Sequence, residues 1–135
     1  MPTSSKGLRI VIVDDSADIQ QRMRRLLTEV PGLDVVGSAR DRASAIRTID
    51  DQRPDVVLLD VDLDHGDRGM DVLRHVARDH AGTQVVVLSN FSWRAMRDAF
   101  LAAGAAAYFD KAMEFNEARD WIAAHRPLTA RSVTS

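Results

Sequence analysis

An α/β architecture, with a parallel sheet covered by helices on both faces, follows from three features of the sequence. Residues 54–62 read PDVVLLDVD. Four adjacent apolar residues, Val56, Val57, Leu58 and Leu59, without polar alternation fit a strand buried on both faces. A second apolar run, residues 8–13, also ends in acids: Asp14 and Asp15 follow it, as Asp60 and then Asp62 follow the first. Around these runs, segments with apolar residues at helical spacing alternate with short apolar ones, as βαβ units require.

Taken in order, residues 1–6 are small, polar or proline and are expected to form a loose lead. Leu8, Ile10, Val11, Ile12 and Val13 make the first strand. Ser16 is a suitable cap for a helix over 17–29, whose Ile19, Met23, Leu26, Leu27 and Val30 recur at helical spacing. Arg22, Arg24 and Arg25 give that helix a basic outer side, and Pro31 and Gly32 stop it. Val35 and Val36, extending over 37–39, form the second strand. Asp41 caps the next helix, which runs to Asp51 and is expected to bury Ala43, Ile46 and Ile49. After a turn over 52–54 comes the third strand, then the polar loop DVDLDHGDRG with Gly66 and Gly69, then a helix carrying Val72, Leu73, Val76 and Ala77.

Residues 84–88 form the fourth strand and lead into Ser89 and Asn90. A helix over 92–103 draws on Met96, Phe100 and Leu101 for its buried side, with Gly104 as its C-terminal cap. Residues 105–109 form the fifth strand, followed by Asp110 and Lys111. The last helix, 114–124, packs Phe115, Ala118, Trp121 and Ile122. After Pro127 the chain is polar or small, so the expected organisation is a lead (1–6), one domain (7–126) and a polar tail (127–135).

With 135 residues, the chain has the length of one ordinary domain. A net charge of -2 gives no general attraction for nucleic acid or anionic lipid. No stretch approaches the roughly 18 consecutive apolar residues of a membrane span, and MPTSSKG lacks the apolar core of a signal peptide. The absence of cysteine excludes disulfides, thiolate catalysis and cysteine metal ligands, and fits a cytoplasmic location.

Chemistry converges on the carboxyl ends of four strands: Asp14 with Asp15, Asp60, Ser89 and Lys111. In open α/β sheets, ligands bind in the crevice beyond that edge. Clustered carboxylates repel one another unless a cation compensates, and an all-oxygen set favours a hard ion such as Mg²⁺. Lys111 adds a positive charge on a flexible stem, and Ser89 a neutral hydroxyl. Together they describe a phosphoryl site in which one carboxylate can itself be the nucleophile, forming an aspartyl phosphate. Singly, each residue has a plainer reading: Asp15 as a helix cap competing with Ser16, Asp60 or Ser89 as a turn former, Lys111 as a solvated charge. The set at the ends of alternating strands is what points to a site. His65, His75, His80 and His125 show no metal-ligand spacing, and only His65 is placed near the acids.

Across residues 7–126 the sequence resembles the receiver domain of two-component response regulators. The likeness rests on IVDD at 12–15, VVLLD at 56–60, VVVLS at 85–89 and YFDK at 108–111. It implies a flavodoxin-like (CheY-like) three-layer fold with five parallel strands in the order 2-1-3-4-5. By the same resemblance Asp60 is the phospho-acceptor, served by a histidine kinase or phosphotransfer protein. Mg²⁺, or Mn²⁺, is held by Asp15, Asp60 and the backbone carbonyl of Asp62, with Asp14 acting through water. Ser89 is the hydroxyl that turns towards the phosphoryl group, Tyr108 the aromatic that moves with it, and Lys111 the cation that pairs with the phosphate. The implied output is a downstream protein, or self-association, through the face of helix four, strand five and helix five. Neither nucleic-acid binding by this chain nor membrane insertion is implied, and the domain is a regulatory acceptor rather than an enzyme, able to take part in its own phosphorylation and dephosphorylation.

Three places depart from the family pattern. Asp64 stands where a proline is usual, and Gly69 comes one residue late; Asn90 follows Ser89 in place of a small residue; and Ala112 follows Lys111 where a cis-proline is common. A cis bond before a non-proline residue costs roughly 2.5–4 kcal/mol, so this bond is expected to be trans. Asp62 and Phe91 hold the two positions that flank the attacking water in receivers. LTAR at 128–131 faintly resembles the start of a DNA-binding domain in one regulator family. Two other functions fit part of the pattern. DVDLD at 60–64 resembles the nucleophile motif of haloacid-dehalogenase-like phosphatases, which place it on the first strand. A pseudo-receiver that binds partners without phosphorylation would accommodate Asn90, Ala112 and the acidic loop.

Overall fold

The fold grows from β1 (Leu8–Val13) and β3 (Val56–Asp60), whose residues are almost wholly buried and pair in parallel from Ile10 opposite Val56 to Val13 opposite Leu59. The computed structural model describes residues 7–90 and 93–125. The expectations for 1–6, for Phe91 and Ser92, and for the tail with LTAR lie outside the described residues. Around the central pair stand α1 (Ala17–Thr28), β2 (Leu33–Ala39), α2 (Arg42–Gln52), α3 (Gly69–Asp79), β4 (Gln84–Ser89), α4 (Arg94–Ala102), β5 (Ala107–Asp110) and α5 (Phe115–Ala124). The five strands form one parallel sheet in the order β2-β1-β3-β4-β5, the doubly wound receiver fold that the sequence implies.

Period-two alternation sorts the strand side chains into two cores. Val11, Val13, Val57, Leu59, Val85 and Val87 face α2, α3 and α4, where they meet Ile49, Val72, Leu73, Val76 and Phe100. Ile10, Ile12, Leu58, Val86 and Leu88 face α1 and α5, against Met23, Leu27, Phe115, Ala118 and Ile122. Both faces are covered, which is why the strands read as continuous apolar runs. The chain leaves β1 for β2 on one side and later returns to β3 on the other. The sheet therefore has its switch point between β1 and β3, at whose carboxyl end ligands bind in open α/β sheets.

Local signals set most boundaries. The Ser16 hydroxyl accepts from the Ile19 amide and starts α1, so Asp15 is not used as the cap. Asp41 starts α2 in a capping box with Ser44. Gly104, at φ 117°, follows the end of α4. Pairing with β1 carries β2 back to Leu33, opposite Leu8. Ala105 and Ala106 instead close the turn from α4, donating to the Phe100 and Val85 carbonyls, so β5 begins only at Ala107. The expected stripe of α2 needs correction: Ala45 and Ile49 are buried, Ile46 is half-buried and Ala43 is exposed. Steps of three fall short of a full turn of 3.6 residues, so a long i+3 stripe drifts off the core face, whereas Ala45 and Ile49, four apart, stay on it. Ala77 in α3 is likewise exposed.

The loop after β3 absorbs its extra residue in a single 3-10 turn, Asp64–Gly66, with His65 at φ 64° and Gly66 at φ 72°. It is stapled by an Asp62–Arg68 bridge and by Leu63 N–H donating to the Asp67 carbonyl at 2.9 Å. The chain then returns so closely to β3 that a Cβ on Gly69 would sit 2.1 Å from the Asp60 carbonyl oxygen. No side chain fits there without moving the backbone that carries Asp60. Gly69→Ala is therefore expected to lower stability by about 1–3 kcal/mol in urea unfolding, the usual penalty of overpacking; a change within 0.5 kcal/mol (about the noise of surface substitutions) would show that this approach is not tight.

Candidate functional site

Each charged side chain at the carboxyl edge is fixed by the backbone that delivers it. The Asp14 amide donates to the Ala39 carbonyl at 3.0 Å, and Gln20 Nε2 ties the carbonyls of Asp14 and Ala39 together at 2.7 and 2.9 Å. Asp60 is the last residue of β3. Beyond β5 the Lys111 amide donates to the Ser89 carbonyl at 2.8 Å, and Asp110 Oδ1 accepts from the Ala112 amide at 2.7 Å. The backbone has no cis peptide bond among the described residues, so the Lys111–Ala112 bond is trans, as expected.

These anchors converge the side chains. Lys111 Nζ lies 2.7 Å from Asp14 Oδ2 and 3.1 Å from Asp60 Oδ1, and all three side chains are less than a tenth exposed. The second oxygen of Asp14 accepts from the Ser16 amide at 2.9 Å. One carboxylate oxygen from each of Asp14, Asp15 and Asp60 falls within 4.8 Å of the others. Beside them opens a cleft of about 390 Å³ lined by Asp15, Ser16, Ile19, Asp60, Asp62, Asn90 and Lys111. A liquid water takes up about 30 Å³, so the cleft has room for a hydrated cation together with a phosphoryl-sized group.

Burial drives the electrostatics. Desolvation, reinforced by the negative charge of Asp14, pushes the Asp60 carboxyl up to about 7 against the pull of Lys111. Desolvation alone would lower the Lys111 ammonium; the hydrogen bond to Asp14 and the charge of Asp60 outweigh it and leave the group raised. When all three acids ionise, they face one ammonium, and two negative charges stay uncompensated. That deficit, the all-oxygen donors and their spacing fit a hard divalent cation, whose octahedral ligands lie about 3–4 Å apart.

Of the residues singled out in the sequence, Asp14, Asp15, Asp60 and Lys111 are brought together, and Asp62 stands exposed at the lip of the cleft. Ser89 is fully buried at the end of β4 and engages Tyr108 through a side-chain hydrogen bond. Tyr108 is buried, which raises its hydroxyl above the ordinary range, and its ring lies 6.0 Å from that of Phe100. Phe91 lies outside the described residues. The loop acids are drawn away from the cleft: Asp64 pairs with Arg40 at 3.0 Å, and Asp67 Oδ2 accepts from the Arg42 amide at 2.9 Å. His65 sits 3.6 Å from Asp41, at the α2 cap. Arg22 lies over the Phe115 ring at 4.6 Å, so it is not a purely solvated member of the basic face.

The histidines show no metal-ligand spacing in the sequence, yet the fold brings His75 and His80 together on Asp50, each Nε2 within 2.8 Å of the same carboxylate oxygen. The only trace in the sequence is a pair of histidines five residues apart near a helix end. Their partner comes from the preceding helix.

The chain matches the response regulator receiver domain family over residues 10–123. It belongs to that family. A protein-glutamate methylesterase/protein-glutamine glutaminase of Koribacter versatilis is 36% identical over 95 residues, 70% of this chain and 26% of the relative. A second such protein, from Myxococcus xanthus, is 40% identical over 83 residues, 62% of the chain and 24% of the relative. The chain thus spans about a quarter of the length of the curated relatives it matches. Among solved structures, the signal receiver domain of the putative response regulator NarL from Mycobacterium tuberculosis superposes with a TM-score of 0.80 at 29% identity. It covers 90% of this chain and 99% of that one. The response regulator domain of Thermotoga maritima CheB shares the fold, with a TM-score of 0.75 at 24% identity over 86% and 90% of the two chains. The receiver is a signal-transduction domain of two-component systems, and none of its described helices is long and apolar enough to cross a membrane.

The raised Asp60 carboxyl makes the metal-free receiver pH-sensitive. Between about pH 4 and 7 the folded protein keeps a proton there that the unfolded chain has released, so this contribution to stability fades as pH rises. Asp60→Asn removes the titration. In urea unfolding with a chelator present, the variant should gain on the wild type by roughly 1–4 kcal/mol between pH 5 and 8. A gap independent of pH would contradict the burial account.

Proposed function

We propose that the receiver is a phosphorylation-dependent switch that takes a phosphoryl group on Asp60 from a phosphohistidine of a kinase or phosphotransfer protein. The observation that carries this reading is the buried lysine shared by two carboxylates at the mouth of the cleft. An Asp60 carboxylate oxygen attacks phosphorus in line with the N–P bond of the donor. The O–P bond forms as the N–P bond breaks, and the imidazole leaves with the electron pair and takes up a proton. Lys111, already held beside Asp60, pairs with the phosphoryl oxygens as they arrive. Asp15, Asp60 and the backbone carbonyl of Asp62 would hold Mg²⁺. Asp14 would act through water, since its two oxygens are engaged by Lys111 and the Ser16 amide. When bound, the cation supplies the positive charge that the site lacks against the phosphoryl oxygens.

Ser89 gives the readout. Its hydroxyl turns from Tyr108 to the phosphoryl group, and Tyr108 is released to move against α4. The face of α4, β5 and α5 then meets a protein partner or a second copy. The exposure of Trp93 (66%) and Met113 (82%) on its borders supports that role. In this reading the chain is a regulatory acceptor that can assist its own phosphorylation and dephosphorylation, not an enzyme with a separate substrate. The place of Asp60 on the third strand rather than the first supports that over a haloacid-dehalogenase-like phosphatase.

Incubation with a small phosphodonor and Mg²⁺ should add one phosphoryl group by intact mass. Asp60→Asn, checked for folding by circular dichroism, should abolish the addition, and a chelator should slow it by roughly a hundredfold, the usual effect of losing a main electrostatic stabiliser. Labelling that survives Asp60→Asn, or continuous release of phosphate from simple monoesters, would replace this reading.

A further inference from the structure

Away from the cleft, at the opposite edge of the sheet, the C-terminal ends of α2 and α3 lie side by side. From α2 comes Asp50; from α3 come His75 and the cap residue His80. Asp50 Oδ1 is 2.8 Å from His75 Nε2 and 2.7 Å from His80 Nε2, and the three ligand atoms all lie within 4.8 Å of one another. The His75 and His80 side chains are 12% and 7% exposed, whereas Asp50 is 48% exposed and free to adjust.

We propose that Asp50, His75 and His80 form a binding site for a divalent transition-metal cation, Zn²⁺ foremost, that clamps α2 to α3. Two imidazoles and one carboxylate suit a borderline ion far better than Mg²⁺. Zn–N and Zn–O bonds of about 2.0–2.2 Å place tetrahedral ligands about 3.3 Å apart. The present oxygen-to-nitrogen separations need to widen by only about half an ångström, which rotation of the half-exposed Asp50 provides. Three protein ligands leave a position for water. The Nε2 of each imidazole must be free of hydrogen to bind metal, and His75 can carry its hydrogen on Nδ1, which lies 3.4 Å from Asp79 Oδ2, the carboxylate–histidine–metal relation that fixes a ligand tautomer. Arg78 also approaches His75 Nδ1, at 3.4 Å, but its guanidinium is held by Asp79 at 3.1 and 3.3 Å. Among the groups bonded in the cluster itself, Asp50 and Asp79 against Arg78 leave one net negative charge; Arg42, Arg74 and Asp71 line the cleft beyond His75, and the carbonyl ends of two helix dipoles add to the attraction for a cation. This inference stands apart from phosphorylation, sharing no residue with the acidic cleft.

The plain alternative is a metal-independent staple in which Asp50 merely accepts from both rings. Titration of Zn²⁺ alone into the full chain, in excess Mg²⁺ to occupy the acidic cleft, separates the two. The expected result is saturable binding of one equivalent, weakened at least tenfold by His75→Ala and by Asp50→Asn and changed less than twofold by Asp15→Asn. Nitrogen-15 NMR of the wild type should show the Nε2 resonances of His75 and His80 shifting together, a readout that needs no variant to fold. Failure to bind Zn²⁺, binding indifferent to His75→Ala and Asp50→Asn, or binding lost in Asp15→Asn would each overturn the proposal.

Discussion

The receiver depends on one buried ammonium, Lys111 Nζ, held between Asp14 at 2.7 Å and Asp60 at 3.1 Å. Taking three charges out of water is expensive, and a well-packed apolar cluster of the same volume would stabilise the fold as well or better. The arrangement persists only because the frame leaves its members no other place. Asp14 and Asp60 are the ends of two strands in register, and the Lys111 backbone is tied to Ser89. An incompletely neutralised cluster at the sheet's switch point is therefore poor evidence of stability and good evidence of a site built to accept positive charge.

Acids near the cleft follow the same logic. The loop after β3 is richer in carboxylates than the family pattern, and another negative charge beside Asp60 would raise its carboxyl still further. The loop instead turns outward: Asp64 meets Arg40 on the connection between β2 and α2, and Asp67 meets the Arg42 amide at the start of α2. Gly69 makes this possible by letting the chain pass against the Asp60 carbonyl and start α3 at once. The extra residue is thereby spent in a surface turn, and the clustered group stays at Asp14, Asp15, Asp60 and Lys111, with Asp62 exposed at the lip of the cleft.

Much of this was legible in the sequence, for a physical reason. A parallel sheet buried on both faces demands unbroken apolar runs, and each run here ends at the edge where chemistry belongs, so Asp14, Asp15, Asp60, Ser89 and Lys111 could be placed together from order alone. What could not be read depends on how helices rotate and meet. Ala43 looked like a core residue because a three-residue repeat fits a short helix, yet Ala45 takes the buried place once α2 settles on β1 and β2. The Asp50–His75–His80 cluster is less legible still. Five residues on a helix put two side chains on different faces, and His80 joins His75 only because it lies past the last turn, at φ -135° and ψ 64°.

The helices differ in how firmly they are held, and this bears on where a signal could travel. α3 buries Val72, Leu73 and Val76 and is further tied to α2 through Asp50. α4 buries one side chain, Phe100, with Met96 and Leu101 only half-covered. The Phe100 ring lies beside that of Tyr108, which is itself bonded to Ser89 at the end of β4. On the proposed reading, a side-chain rearrangement at Ser89 would act on the one fully buried side chain of α4, while α2 and α3, with more buried anchors, would serve as the reference against which it moves. Regions that shift in a switch are drawn from the low-stability end of a fold. On the proposed reading, the thin packing of α4 is what lets a change of a single phosphoryl group at Asp60 reach the surface.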